Sequence, residues 1–313
     1  MNILIAGASG YAGHAAAAAL RQAGHHVTAL LRRPHSVRAY SLQSQKVQVV
    51  AGDLRQADTY RAALAACDVF ISTVMDFEDP VGTDRLLFEV LRQLPARAGG
   101  RPRLFIYTTG CSVYGHVTER VLHEATPGNP AHPLHFRLKL EQEALQLPPA
   151  WRAVVVRSGF MFGLDGRSCF ATTWFEQGEA GRVVYAGDPA KSWSWVHVSD
   201  LADAYCCIVA HAGLDREIFC LADDLQPRCW DVAAAAATAA GFAGQMQKGP
   251  AIMEDWSAIF DHNHLMSSAK ARRVLGWKPQ QAGILAQMDR CYHAWKASQP
   301  ADFPREIANN SWL

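Results

Sequence analysis

The sequence predicts a doubly wound α/β fold: one parallel sheet covered by helices on both faces, with a smaller lobe at the C-terminal end. Two observations carry this expectation. Short apolar runs alternate with helical patterns through the first 160 residues, and a glycine turn joins the first run to the first helix.

Taken in order, Ile3 to Ala6 reads as a strand, "GASGYAG" as the turn, and "HAAAAALRQAG" as an alanine-rich helix closed by Gly24. "HVTALL" is the second strand and "KVQVVAGD" the third, followed by the helix "TYRAALAAC". "DVFISTV", "RLFIYTTG" and "WRAVVVRSG" continue the strands, with helices over "TDRLLFEVLRQL" and "LHFRLKLEQEALQL" between them. Near-continuous apolar strands of this kind suit a parallel sheet buried on both sides. After about residue 160 the alternation gives way to glycines, aromatics and short segments, then "REIFCLAD" and "DVAAAAATAAGF" read as one more strand and helix. The expected division is a nucleotide-binding domain over 1–160 and a substrate-binding lobe over 161–313, with segments near 195–225 returning to the first domain.

Composition narrows the partners. Among 313 residues, 30 basic side chains face 29 acidic ones, so no bulk field favours nucleic acid or an anionic membrane. A small-molecule substrate is the expectation. The eight cysteines, at 67, 111, 169, 206, 207, 220, 229 and 291, form no C-x-x-C pair and read as reduced thiols of a cytoplasmic protein. The opening "MNILIAGASG" lacks the basic start and long apolar stretch of a signal peptide, and no run approaches the roughly 20 apolar residues that cross a bilayer.

Gly7, Gly10 and Gly13 follow the first strand directly and open the first helix. Such a turn lets bare backbone approach a pyrophosphate whose charge the helix N-terminus stabilises. Ser9, Tyr11 and Ala12 share the turn. At the end of the second strand, "ALLRRPHS" offers Arg32 and Arg33 and no carboxylate. Two guanidinium forks suit a 2′-phosphate, so NADP is expected over NAD; a solvated loop is the plainer reading of the pair. Asp53, with Leu54 beside it, could accept from the adenine amino group or simply form a turn. Ser72, Thr73 and Val74 at the fourth strand, and Ser158 and Phe160 after the sixth, complete the expected cofactor-binding set.

"GASGYAG", "GDL", "DVFISTV", "FIYTTGCSVYG", "VVVRSGFMFG", "WSWVHVSDLADAY" and "SSAKARRVLGWKP" together resemble the extended short-chain dehydrogenase/reductases, the NAD-dependent epimerase/dehydratase family, over nearly the whole chain. The resemblance implies a Rossmann sheet, a lobe closing over the nicotinamide, and action on nucleotide sugars or other small carbonyl or alcohol compounds. It also implies a homodimer built from two helices per subunit, here about 84–94 and 133–147.

Catalysis in that family, as the resemblance implies it, uses a tyrosine four residues before a lysine and a serine or threonine at the end of strand five. The lysine, which in that family holds the nicotinamide ribose and lowers the tyrosine pKa, matches Lys139, but the tyrosine position holds His135 and the hydroxyl position, counted back from Tyr114, holds Gly110. Thr109 would face away in an extended chain, so Ser112 is the expected substitute, with Cys111 near the substrate. His135 reads either as the acid/base or as a filler. Tyr114 is an alternative proton donor, while the "YHAWK" match from Tyr292 to Lys296 lies outside the cofactor domain and reads as helical coincidence.

Met75, Asp76, Met161, Trp174 and Trp193 are expected to line the substrate cleft. His197 reads as a contact between lobes and Asp200 as a helix cap. His262 and His264 lack a convincing third ligand, so no metal is expected. The functional expectation is an atypical NADP-dependent oxidoreductase or epimerase-like enzyme. A non-catalytic dinucleotide sensor or scaffold, and a non-redox isomerase, lyase or cyclase on the same fold, are the alternatives.

Overall fold

In the computed structural model, residues 1–97, 99–115, 121–164, 169–249 and 262–299 are described. The parallel sheet is formed by β1 (Asn2–Ala6), β2 (His26–Leu31), β3 (Gln48–Ala51), β4 (Val69–Ser72), β5 (Arg103–Gly110), β6 (Trp151–Ser158) and, further along the chain, β10 (Glu217–Leu221). Their spatial order is β10-β6-β5-β4-β1-β2-β3, and every pairing is parallel. The order reverses between β1 and β4, where a crevice opens beyond the carboxyl ends of the strands.

Both faces of the sheet are covered, which is why its central strands are apolar throughout. On one face α1 (Tyr11–Gln22), α2 (Val37–Ser44), α7 (Val198–Ala210) and α9 (Ala269–Leu275) bury Ala16, Leu20, Leu42, Leu201, Tyr205 and Ala271 against Ile3, Ile5 and Ile71. The small side chains of α1 let α7 lie close along it. On the other face α3 (Arg61–Ala66), α4 (Pro80–Gln93) and α5 (Phe136–Leu145) place Leu64, Leu87, Phe88, Leu140 and Ala144 against Phe70 and Phe105. Local chemistry sets the helix ends. Asp79 accepts from the Gly82 amide at 2.8 Å with Pro80 in the first turn of α4, Ser36 caps α2, and α9 stops at Gly276 with φ +65°.

Beyond β6 the chain builds a separate core. Two short parallel pairs, β7 (Phe160–Phe162) with β9 (Trp195–His197) and β8 (Val184–Ala186) with β11 (Gln247–Gly249), pack with α6 (Ala171–Glu179), α8 (Cys229–Ala239) and α10 (Met288–Ser298). Trp174, Phe175, Trp193, Trp195 and the alanines of α8 fill it. The strand expected at "REIFCLAD" is β10, which joins the main sheet beside β6.

Several element boundaries differ from the sequence reading. The first helix begins at Tyr11 rather than at His14, because the extended Gly10 serves as its N-cap. The helix expected from about residue 133 starts as a 3-10 turn over Pro133–His135, with the α-helix proper opening at Phe136. His197, not Asp200, caps α7: its Nδ1 accepts from the Ser199 amide at 3.2 Å. Asp200 instead holds the C-terminal "WKPQQ" segment, accepting from the Gln280 and Gln281 amides at 2.8 and 3.1 Å, while its carbonyl receives the Trp277 indole.

Just past β10, Asp223 is buried beside Asp200 and Asp224, and burial first, with those charges adding, pushes its carboxyl up to about 7. A carboxyl raised on folding binds its proton more tightly in the native state, so stability falls as pH rises from about 4 toward about 7. Asp223→Asn keeps the oxygen that accepts from the Leu225 amide. Thermal melts of the variant should show a flatter loss of melting temperature between pH 5 and pH 8 than those of the parent, under the same linkage.

Candidate active site

The glycine turn sits at the crevice where the strand order reverses. Gly7 has φ +82°, and a Cβ there would lie 2.6 Å from the Thr73 hydroxyl. A Cβ on Gly13 would lie 2.4 Å from the Gly7 carbonyl oxygen and 2.6 Å from the same hydroxyl. Bare backbone is therefore a packing requirement between β1, α1 and β4 as well as a means of approach. Gly10 donates no side-chain cap to α1, so the first amides of the helix face the crevice uncapped. Ser9 and Gly10 are exposed there, Ala12 is buried, and the Tyr11 phenol reaches across to the Gly163 carbonyl beyond β7.

The other expected cofactor residues lie along the same ends. Arg32 and Arg33 are exposed at the end of β2. Asp53 accepts from the Arg55 amide at 3.0 Å, the turn-forming geometry, and Leu54 is buried beside it. The buried Ser72 hydroxyl has no partner among the described residues, Thr73 donates to the Ala6 carbonyl at 3.1 Å, and Val74 packs on the core beneath α4. Ser158 donates to the Thr109 carbonyl at 3.3 Å, and Phe160 stacks on Trp193 with centroids 3.9 Å apart.

At the end of β5 the side chains sort by partner. Thr108 bonds the Tyr205 hydroxyl at 2.7 Å, and Thr109 donates to Glu141 at 2.6 Å. Glu141 also takes the Arg157 guanidinium, at 2.5 and 3.0 Å, while Arg157 donates to the Tyr114 phenol oxygen at 2.7 Å and to the Glu124 carbonyl at 3.2 Å. Burial acts to lower the Arg157 pKa, but Glu141 and Tyr114 hold it above its usual value. Tyr114 is fully buried, donates to the His123 carbonyl at 2.9 Å, and has its pKa raised by burial. That phenol is part of the support beneath the site, without access to a substrate proton. Cys111 is likewise buried, with burial pushing its thiol up.

The strand alternation that singled out Ser112 stops at Gly110, because Cys111–Tyr114 is a 3-10 turn. Ser112 is nonetheless half-buried on that turn, whereas the hydroxyls of Thr108 and Thr109 are committed to partners. His135 is half-buried, and its Nδ1 is buried with no hydrogen-bond partner among the described residues. His132 stands near it: burial, then repulsion from His262 and His135, lowers the His132 pKa. Lys139 lies on the exposed face of α5, while Arg137, two residues earlier, is buried on the side facing the sheet.

The residues expected to line the substrate cleft divide. Met75 and Met161 are half-buried. Asp76 is held by Arg55 of the segment after β3 at 2.5 Å and by Thr83 of α4 at 2.7 Å; burial opposes the shift, but the Thr83 and Arg55 bonds hold its carboxyl at about 2. Trp174 and Trp193 pack inside the lobe core, Trp174 on Tyr185 and Trp193 between Phe160 and Phe170, with the Trp193 indole donating to the His262 carbonyl at 3.1 Å. His264 is buried against the same aromatic pair, and no cluster of three or more potential metal ligands occurs among the described residues. "YHAWK" lies on α10, where Tyr292 and Lys296 both reach Glu179.

This arrangement, a glycine cradle at the reversal of a seven-stranded parallel sheet with a lobe over its carboxyl ends, agrees with what the sequence itself matches. The model of the NAD dependent epimerase/dehydratase family covers residues 3–222. The chain belongs to that family. Among curated relatives, the epimerase family protein SDR39U1 of Bos taurus is 25% identical over 227 residues, 68% of this chain and 70% of its own length. Among solved structures, UDP-glucose 4-epimerase of Thermotoga maritima, with UDP-glucose, superposes with TM-score 0.78 at 14% identity, covering 95% of this chain and 99% of that one. DesIV, the dTDP-glucose 4,6-dehydratase of Streptomyces venezuelae with NAD and TYD bound, gives TM-score 0.80 at 16% identity over 95% and 98%. At that identity the two structures share this family member's fold. No described helix is long and apolar enough to cross a membrane.

The buried Arg157–Glu141 pair fixes α5 against β5 and β6 directly below the crevice. Glu141→Ala should lower the unfolding free energy by about 3–5 kcal/mol in urea titrations, because it leaves a buried guanidinium uncompensated. The double variant Glu141→Leu/Arg157→Met should recover most of that loss, since an apolar pair of similar volume has no charge to desolvate.

Proposed function

We propose that this family member is a cytoplasmic, NADP-preferring oxidoreductase or epimerase-like enzyme acting on a small carbonyl or alcohol compound. The observation that carries the reading is the cradle at Gly7, Gly10 and Gly13: a Cβ on two of its glycines would collide with backbone or Thr73, and the helix it opens has no side-chain cap. Those features fit a pyrophosphate. When bound, the coenzyme supplies hydride transfer at its nicotinamide ring.

The chain's own residues do the rest. The α1 amides hold the pyrophosphate, and Arg32 and Arg33, exposed beside the end of β2, pair with the 2′-phosphate of the adenosine half. Isothermal titration should find NADP bound more tightly than NAD, and Arg32→Ala/Arg33→Ala should cut NADP affinity by about ten-fold or more while leaving NAD affinity within about two-fold. Equal loss for both coenzymes would assign the arginines to something other than the 2′-phosphate.

On the substrate side His135, half-buried at the start of α5, gives or takes the proton at the reacting oxygen, and Ser112 orients that oxygen. Imidazole here does the work of a phenol. His135→Phe should retain NADP binding and lose turnover by about 10²-fold or more, the usual scale of general acid–base catalysis. Undiminished turnover removes His135 from the mechanism. A homodimer through the outer faces of α4 and α5, where Arg85 already meets Glu143 at 3.1 Å, completes the proposal.

A further inference from the structure

We propose that His132, as a neutral imidazole, is the positioning residue that fixes His135 relative to Ser112, by joining the turn that carries one to the turn that carries the other. The inference rests on the acid/base reading of His135 and extends it to a residue outside the expected site.

Ser112 and His135 stand on separate 3-10 turns, Cys111–Tyr114 and Pro133–His135. A short run of backbone bonds leads from the first to the second. The Asn129 amide donates to the Tyr114 carbonyl at 2.8 Å, the His132 amide to the Asn129 carbonyl at 3.1 Å, and the His135 amide to the His132 carbonyl at 2.9 Å. The His132 side chain closes the same path through space. Its Nδ1 accepts from the Leu134 amide at 3.2 Å, which caps the turn that ends at His135. On the other side of the ring, Gly115 ends the Ser112 turn with φ +64°, its amide bonded to the Ser112 carbonyl at 3.1 Å. A Cβ on Gly115 would stand 2.5 Å from the Cβ and Cγ of His132 and 2.9 Å from its Cδ2, so the ring lies directly over that glycine. One imidazole thus meets both turns, one through its Nδ1 edge and the other through its Cδ2 edge.

The cap dictates the protonation state. An imidazole nitrogen that accepts from an amide carries no proton, so His132 is neutral with its hydrogen on Nε2. Protonation would set an N–H against the Leu134 N–H, and the turn would lose its cap. The surroundings favour the neutral ring. Burial first, then repulsion from His262 and His135, lowers the His132 pKa, and a hydrogen bond made to the neutral form acts in the same direction. His262 and His135 are the titratable groups that bear on it among the described residues. On the facing turn, Tyr114 is committed to Arg157, Cys220 and the His123 carbonyl, and Cys111 is buried. His135 therefore keeps its place only above the pH at which His132 takes a proton, a limit separate from the ionisation of His135 itself.

Asparagine separates the cap from the proton, because its Oδ1 and Nδ2 replace Nδ1 and Cδ2 yet do not titrate. The test is long-range proton–nitrogen correlation NMR of the full-length protein, isotopically labelled at histidine and titrated from about pH 8 to about pH 5, the range in which histidines ionise. His135→Phe assigns the His135 signals. At the upper end His132 should show the Nε2–H tautomer, and its midpoint should fall below the ordinary value of about 6.5, with no titration down to about pH 5 counting as such. The His135 ring signals should move as His132 titrates. In His132→Asn they should hold the parent's high-pH position and lose that step, and in His132→Ala they should be displaced at every pH. An Nδ1–H tautomer, a midpoint at or above the ordinary value, His135 signals unmoved in His132→Ala, or equal displacement in the asparagine and alanine variants would overturn the assignment. Should His132→Ala not fold by circular dichroism, the tautomer in the unsubstituted protein and the His135 signals of His132→Asn decide. Undiminished turnover in His135→Phe would instead sink the acid/base reading, and it leaves each of these readouts unchanged.

Discussion

The contact on which the rest of the structure depends is the meeting of Gly7, Gly13 and Thr73. Three segments converge there: the end of β1, the first turn of α1 and the end of β4. With a Cβ on Gly13 only 2.4 Å from the Gly7 oxygen, even one methyl group would force α1 away from the sheet. The closeness of α1 sets the seat of α7 against it, and α7 in turn carries Asp200, which holds the C-terminal segment through Trp277, Gln280 and Gln281. The glycine turn is thus the keystone of one face of the fold.

Beneath the crevice a second constraint operates through charge. Arg157 donates to the Glu141 carboxylate inside a shell that also satisfies Thr109, Tyr114 and the Glu124 carbonyl. In a low-dielectric interior such a network is tolerable only when its members are paired, and it then admits one orientation of α5. The pair does not need to stabilise the fold to matter; it fixes which side of α5 faces the strand ends.

Much of the sheet was legible because both of its faces are buried: continuous apolar runs such as "VFIS" and "AVVV" leave little choice of element. The glycine spacing placed the cradle for the same reason, since geometry there depends on what is missing from the side chain. The lobe was less legible. Its strands are three residues long, too short for a period, and α6 and α10 follow aromatic packing that reads equally well as loop. Within the site, Tyr114, Trp174 and Trp193 looked accessible on sequence because aromatic residues line clefts and cores alike; only burial distinguishes the two. That Arg137 is buried could have been read from Leu140, Ala144 and Leu145, apolar residues on the side of α5 that must face the sheet.

One side chain joins the two halves of the molecule at the cradle itself. The Tyr11 phenol, at the first position of α1, bonds the Gly163 carbonyl just beyond β7, and a Cβ on Gly163 would run into the His197 ring that caps α7. A rigid swing of the whole C-terminal portion away from the sheet would break this bond. Displacement of the C-terminal portion is therefore transmitted to the first turn of α1 through a single side chain.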